Sequence, residues 1–243
     1  MLKINQRKIL ILLALFTGGA VPIQFVTLSF GYAQLFKQVS LGPKVVITAH
    51  EFASYYIPMV YIPSLLILLA ITLYSRTKYR DLFRRIVVGL AVGAVSTIAL
   101  DAVRQSGVIH GWLPADMPIL FGKAATGSGS FAYYYPVGLF IHFFNGANFG
   151  LVYAFVWGKR NNFKSAVLWA TFWLLLMELG MMTAPPMGPM VGPFGTNYAW
   201  PELFILTLVA HVAFGVVLGL LTQHFLKEED KGGIFKFLRG SIS

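Results

Sequence analysis

Residues 9–31 read ILILLALFTGGAVPIQFVTLSFG, and no charged side chain interrupts them. About 20 apolar residues in a helix cross a hydrocarbon core of about 30 Å, so this run specifies a membrane helix. Lipid cannot hydrogen-bond to a backbone. A lone spanning segment must therefore satisfy its own N–H and C=O groups, which only a helix does. The alternating pattern of a barrel strand is missing. Five more apolar runs follow, at about 52–74, 85–106, 132–158, 163–184 and 201–226. The expected fold class is all-α, a polytopic transmembrane bundle of about six helices. The first run follows Lys3, Arg7 and Lys8, a flank that signal peptides share. A signal anchor or an ordinary first span is expected there.

Composition points the same way. Hydrophobic residues make up 57% of the 243-residue chain and charged residues 12%, against about 25% charged in a soluble domain. That apolar excess needs an apolar surrounding, and the lipid bilayer is the expected partner. The net charge of +10 does not point to nucleic acid, because the basic residues flank apolar runs and build no continuous basic face. There is no cysteine, so disulfides, thiolate metal sites and cysteine nucleophiles are excluded.

Lysine and arginine placement sets the expected orientation. With the N-terminus inside, the inner segments carry Lys3, Arg7, Lys8, Arg76, Lys78, Arg80, Arg84, Arg85, Lys159, Arg160, Lys164, Lys227, Lys231, Lys236 and Arg239. The outer side keeps only Lys37, Lys44, Arg104 and Lys123. Five spans or seven would scramble this split. Both termini are thus expected in the cytoplasm and the chain in the cell membrane. Tyrosines and tryptophans such as Tyr55, Trp112, Tyr133 and Trp200 mark the outer rim, and Tyr74, Tyr79 and Trp157 the inner one, as an interfacial belt does.

Two outer connections are long and rich in Gly and Pro: SGVIHGWLPADMPILFGKAATGSGSF (106–131) and MMTAPPMGPMVGPFGTNYAW (181–200). Such segments lie on the membrane surface or fold back over the bundle as a lid. Prolines 22, 58 and 63 fall inside the first two spans, where each removes a helix hydrogen bond and invites a kink.

Spans four and six share a pattern. LFIHFFNGANFGL (139–151) and LVAHVAFGVVLGL (208–220) both carry His-x3-Gly-x3-Gly, at His142, Gly146, Gly150 and at His211, Gly215, Gly219. A four-residue spacing puts each histidine on one stripe with its glycines, and small residues so spaced let helix backbones approach. With Gly89 and Gly93 of span three, close packing of spans three, four and six is expected.

Ionisable groups inside apolar runs are costly and tend to face the bundle interior. They are Asp101 and Arg104 in span three, His142 with Asn145 and Asn148 in span four, Glu178 in span five and His211 in span six; Glu202 opens span six, and His50 and Glu51 open span two. Nearly all lie in the outer half. A polar chamber there, ringed by spans two to six, is expected. Glu178 has no basic neighbour in its own run, which leaves it protonated, paired with a histidine or Arg104, or bound to a cation. The bland alternatives are a local Asp101–Arg104 ion pair and histidines that serve as interhelical hydrogen bonders.

GLAVGAVSTIALDAVRQSG (89–107), GWLPADMP (111–118), HFFNGANFGLVYA (142–154) and HVAFGVVLG (211–219) resemble a loose group of uncharacterised prokaryotic four-span membrane proteins. The resemblance implies a four-helix core over 84–226 with two added helices over 1–83, and the charge placement adds a basic cytoplasmic tail over 227–243. It implies weight on His142 and His211, and no reaction.

No phosphate loop, nucleotide fingerprint or nucleophile elbow is present. His50-Glu51 is not a zinc-protease motif, because Ser54 stands where the second histidine would be. An enzyme is therefore not the first expectation. A non-catalytic accessory or binding subunit, holding lipid, quinone or partner subunits' helices in the outer chamber, comes first. The alternative is a haem b or copper protein with His142 and His211 as ligands, helped by Met181, Met182, Met187 and Met190 in the copper case. A proton- or cation-coupled transporter using Glu178 comes third.

Overall fold

The structure, a computed structural model, describes residues 6–39 and 42–239. Lys3 and the last four residues of the expected tail lie outside them. Six helices are long and apolar enough to cross a membrane: α1 (Gln6–Phe36), α2 (Pro43–Lys78), α3 (Arg80–Ile109), α5 (Phe131–Val156), α6 (Phe163–Thr183) and α8 (Glu202–Phe225). Between them lie α4 (Met117–Thr126) and the short α7 (Met187–Val191), and α9 (Ile234–Arg239) follows. No strand occurs among the described residues.

The first two helices outrun their apolar windows at both ends. Helix hydrogen bonding continues past the last apolar residue until a breaker intervenes. Before α2 the breaker is Gly42, at φ 81°, with Pro43 in the first helical position, where its missing N–H costs nothing. His50 and Glu51 therefore sit inside α2 rather than at its start. Wide turns mark two of the proline positions. Phe16–Ala20, just before Pro22, and Ile57–Tyr61, which holds Pro58, each form one π-helical turn within a continuing helix. A π turn absorbs the missing donor by relaxing the ladder over one turn.

Packing is dictated by small residues. Gly89 and Gly93 of α3 face Gly146 and Gly150 of α5: a Cβ on Gly89 would stand 2.7 Å from Leu151 Cα, and one on Gly150 would stand 2.6 Å from Gly93 Cα. The glycines of α8 face α6 rather than α3 or α5. A Cβ on Gly215 would meet Thr171 Cα at 2.5 Å and one on Gly219 Val167 Cα at 2.6 Å. Helix α3 packs on both α5 and α8, so it joins the two glycine-bearing pairs. The short α4 lies along the N-terminal half of α5 through Gly122 and Gly138, where a Cβ on Gly138 would be 2.9 Å from Gly122 N. Leu12, Leu66, Ile98 and Leu168 point outward and stay exposed, as lipid-facing side chains do.

At the end of the bundle that carries Gln6, the segment expected as a tail is folded onto the helices. Arg85 of α3 is buried and donates to Ala154 O and Phe155 O at the end of α5, at 2.9 and 3.2 Å, and to Asp230 O and Gly232 O. The last carbonyls of a helix have no partner within it, and a guanidinium there complements the helix dipole. Lys159 does the same for α8, donating to Gln223 O at 3.0 Å and Leu226 O at 2.7 Å. Phe237 of α9 is buried beneath Arg85, whose guanidinium lies 4.0 Å from the ring centroid.

Candidate functional site

A cavity of about 360 Å³ opens among the polar residues marked from sequence. Its wall comes from α1, α3, α5, α6 and α8, with α4 and the Pro185-Pro186-Met187 segment closing one side. Ile23, Gln24, Val26 and Thr27 of α1 line it and no residue of α2 does. The expected ring of spans two to six is thus corrected. Gly18 and Gly19 let α1 approach α5, since a Cβ on Gly18 would lie 2.9 Å from Leu151 Cδ1 and one on Gly19 2.7 Å from Val152 Cγ2. Helix α1 therefore takes the inner position, and α2 is left with few buried residues.

The wall is also less polar than the sequence suggests. Leu100, Phe121, Phe149, Leu174, Met177 and Phe214 supply much of it. The polar groups gather in two sets. In the first, Asp101 Oδ1 accepts from Arg104 Nε and from His142 Nε2, both at 2.9 Å. Arg104 also donates through Nη1 to Asp116, the residue just before α4. One guanidinium thus ties α3 to the connection that leads into α4 and, through Asp101, to α5. With Nε2–H given to a carboxylate, the neutral His142 ring leaves Nδ1 as an acceptor.

In the second set, His211 Nδ1 lies 2.8 Å from Thr207 O, one turn back in α8. A carbonyl only accepts, so Nδ1 carries the proton and Nε2 is the free acceptor of the neutral ring. Thr207 Oγ1 lies 2.9 Å from Glu178 Oε1 on α6 and 3.0 Å from Leu203 O. Glu178 is fully buried, and its Oε2 has no hydrogen-bond partner. It pairs with neither a histidine nor Arg104 among the described residues. A neutral acid or a carboxylate with a bound cation remains.

Arg104, His142, Asn145, Thr207 and His211 line the cavity, whereas Asp101 and Glu178 stand behind that wall as their partners. Asn145 Oδ1 and both amide atoms of Asn148 are buried without a partner. Gly146 lies on the cavity wall, and Gly89, Gly93, Gly150, Gly215 and Gly219 lie in the helix seams. Sequence reasoning missed Asp116 and Thr207. Only the i−4 spacing of Thr207 from His211 hinted at the second.

Among the described residues, no group of three His, Asp or Glu is placed to hold a metal ion. The four methionines expected to help a copper site divide. Met181 and Met187 reach the cavity, while Met182 and Met190 pack around Leu203 and Val191 in the cap. Compared with models of protein families, with curated proteins and with solved structures, the chain matches none.

Proposed function

We propose that this chain is a non-catalytic multi-pass protein of the cytoplasmic membrane, with both ends inside, that holds an apolar small molecule of the lipid or quinone class in the chamber of its outer half. It does so as a subunit that partner membrane proteins can join. The observation that carries this is the cavity itself. Small-molecule sites are mostly apolar concavities of about 300–1,000 Å³ with a few converging polar groups. This one has apolar walls and presents Arg104, His142, Asn145 and His211 together. Arg104 is already neutralised by Asp101 and Asp116, so the polar end suits a neutral carbonyl or hydroxyl rather than a strong anion. The test is mass spectrometry of small molecules extracted from protein purified in mild detergent. A bound apolar molecule is expected, and Ala210→Phe, which fills the cavity from α8, should remove it. No co-purifying molecule, or one unaffected by Ala210→Phe, would overturn the proposal.

One observation favours the cofactor alternative. Metal-ligating histidines almost always donate their other ring N–H to a carboxylate or backbone carbonyl. His142 does so to Asp101 and His211 to Thr207, and both line one cavity. A haem absorbance band or stoichiometric copper, lost in His142→Ala and in His211→Ala, would put this alternative first.

A further inference from the structure

The bundle has a second concavity, at the end opposite the chamber. It is a groove of about 460 Å³ lined by Arg76, Arg80, Arg84 and Lys227 together with Phe83, Val87 and Val88. Three helices meet there. Arg76 lies in the last turn of α2, Arg80 opens α3 after the single connecting residue Tyr79, and Lys227 follows α8. Arg80 and Arg84 are four residues apart on α3, and Val87 and Val88 continue the same stripe one turn deeper. The charged part of the groove therefore runs directly into an apolar part.

The four cations are not equivalent. Arg84 is held by Asp230 and, through Nη2 at 2.9 Å, by Glu229. Arg76 and Arg80 are exposed and form no ion pair among the described residues. The groove keeps more positive than negative charge, because Asp230 and Glu229 both serve Arg84 and Glu228 pairs with Lys159 and Lys231. Arginine forks match phosphate oxygens, and basic pockets between transmembrane helices on the cytoplasmic side suit anionic lipid headgroups.

The geometry points to a binding site for the phosphate headgroup of an anionic membrane lipid, with Arg76 and Arg80 on the phosphate and the acyl chain along Phe83, Val87 and Val88. Arg84, fixed by Asp230, is the rigid back of the site. A lipid is favoured over a soluble phosphate because the wall below the arginines is apolar and Val87 is 41% exposed on the lipid-facing side of α3. A free phosphate would use none of that surface.

The full chain in mild detergent tests this by native mass spectrometry of bound lipid. The probes are phosphatidylglycerol, phosphatidylcholine and inorganic phosphate. Retention of phosphatidylglycerol over phosphatidylcholine is expected. Arg76→Gln with Arg80→Gln should weaken it about thirtyfold, since each basic side chain near a membrane surface contributes about 1 kcal/mol toward an anionic lipid. Lys164→Gln, at the start of α6, should leave it unchanged. If the double variant melts early, Lys227→Gln reads the same groove. Equal retention of the two lipids, a double variant that binds as the parent does, or displacement of phosphatidylglycerol by inorganic phosphate would overturn the assignment.

Discussion

Glu178 and Thr207 show what a buried polar pair does at the scale of single residues. The threonine hydroxyl has one proton and has both Glu178 Oε1 and Leu203 O in reach. If the acid is neutral it donates to Thr207, which passes its own proton to Leu203 O, and every polar atom except Oε2 is satisfied. Glu178→Gln keeps a donor and an acceptor in that place. Its melting temperature in detergent is expected to stay near that of the parent. Thr207→Val removes the one hydrogen-bond partner of Glu178 among the described residues and should cost about 1–3 kcal/mol, the penalty for orphaning a buried polar group. A large loss in Glu178→Gln would instead show a carboxylate that holds a cation. The buried members of this site were legible because an ionisable residue in an apolar run stands out. Their partners were not. Asp116 is an ordinary loop aspartate and Thr207 an ordinary helix threonine, and only packing brings them within bonding distance of Arg104 and Glu178.

Helices are set by spacing, and two kinds of helix end or face decide how these six assemble. The seam of α3 on α5 leaves no room for a methyl group at Gly93, where an added Cβ would meet Ala147 Cα at 2.9 Å. Gly93→Ala should destabilise the bundle by about 1–3 kcal/mol, the range for overpacking a tight contact. Gly180→Ala, in α6 with nothing within 4 Å of the new carbon, should be neutral or slightly stabilising. Thermal melts of the two variants side by side check this, and equal effects would remove the seam as a determinant. The glycine periodicity showed that seams exist but not which helices share them, because a stripe of small residues fits any neighbour. Arg85 is the second case. From sequence it is one more basic flank, yet it closes the end of α5 and anchors residues 230–237. Arg85→Ala should release that segment, seen as faster protease cleavage between Gly232 and Lys236 with the six long helices intact. Unchanged cleavage would mean that the Phe237 contact alone holds it.

Across the whole molecule, charge bias and the count of spans support each other. Six helices are long and apolar enough to cross a membrane, and an even number of crossings returns a chain to the side on which it began. In the proposed orientation the basic residues choose that side. Their roles are mixed, however. Arg85 and Lys159 cap helix ends, Arg84 is neutralised by Asp230, Arg7 pairs with Asp81, and Arg76 and Arg80 form no ion pair among the described residues. That is why sequence could express orientation as a ratio and not assign a task to each residue. The chain's lack of cysteine makes orientation directly measurable, since a single introduced thiol is the sole target of a maleimide. Ser130, exposed at the start of α5, and Lys164, exposed at the start of α6, flank one crossing. Ser130→Cys is expected to react with a membrane-impermeant maleimide in intact cells, and Lys164→Cys only after the membrane is opened. The reverse pattern would invert the protein and place the cation groove on the outer face. Reaction of both from outside would remove α5 as a crossing, and with it the outer position of the chamber.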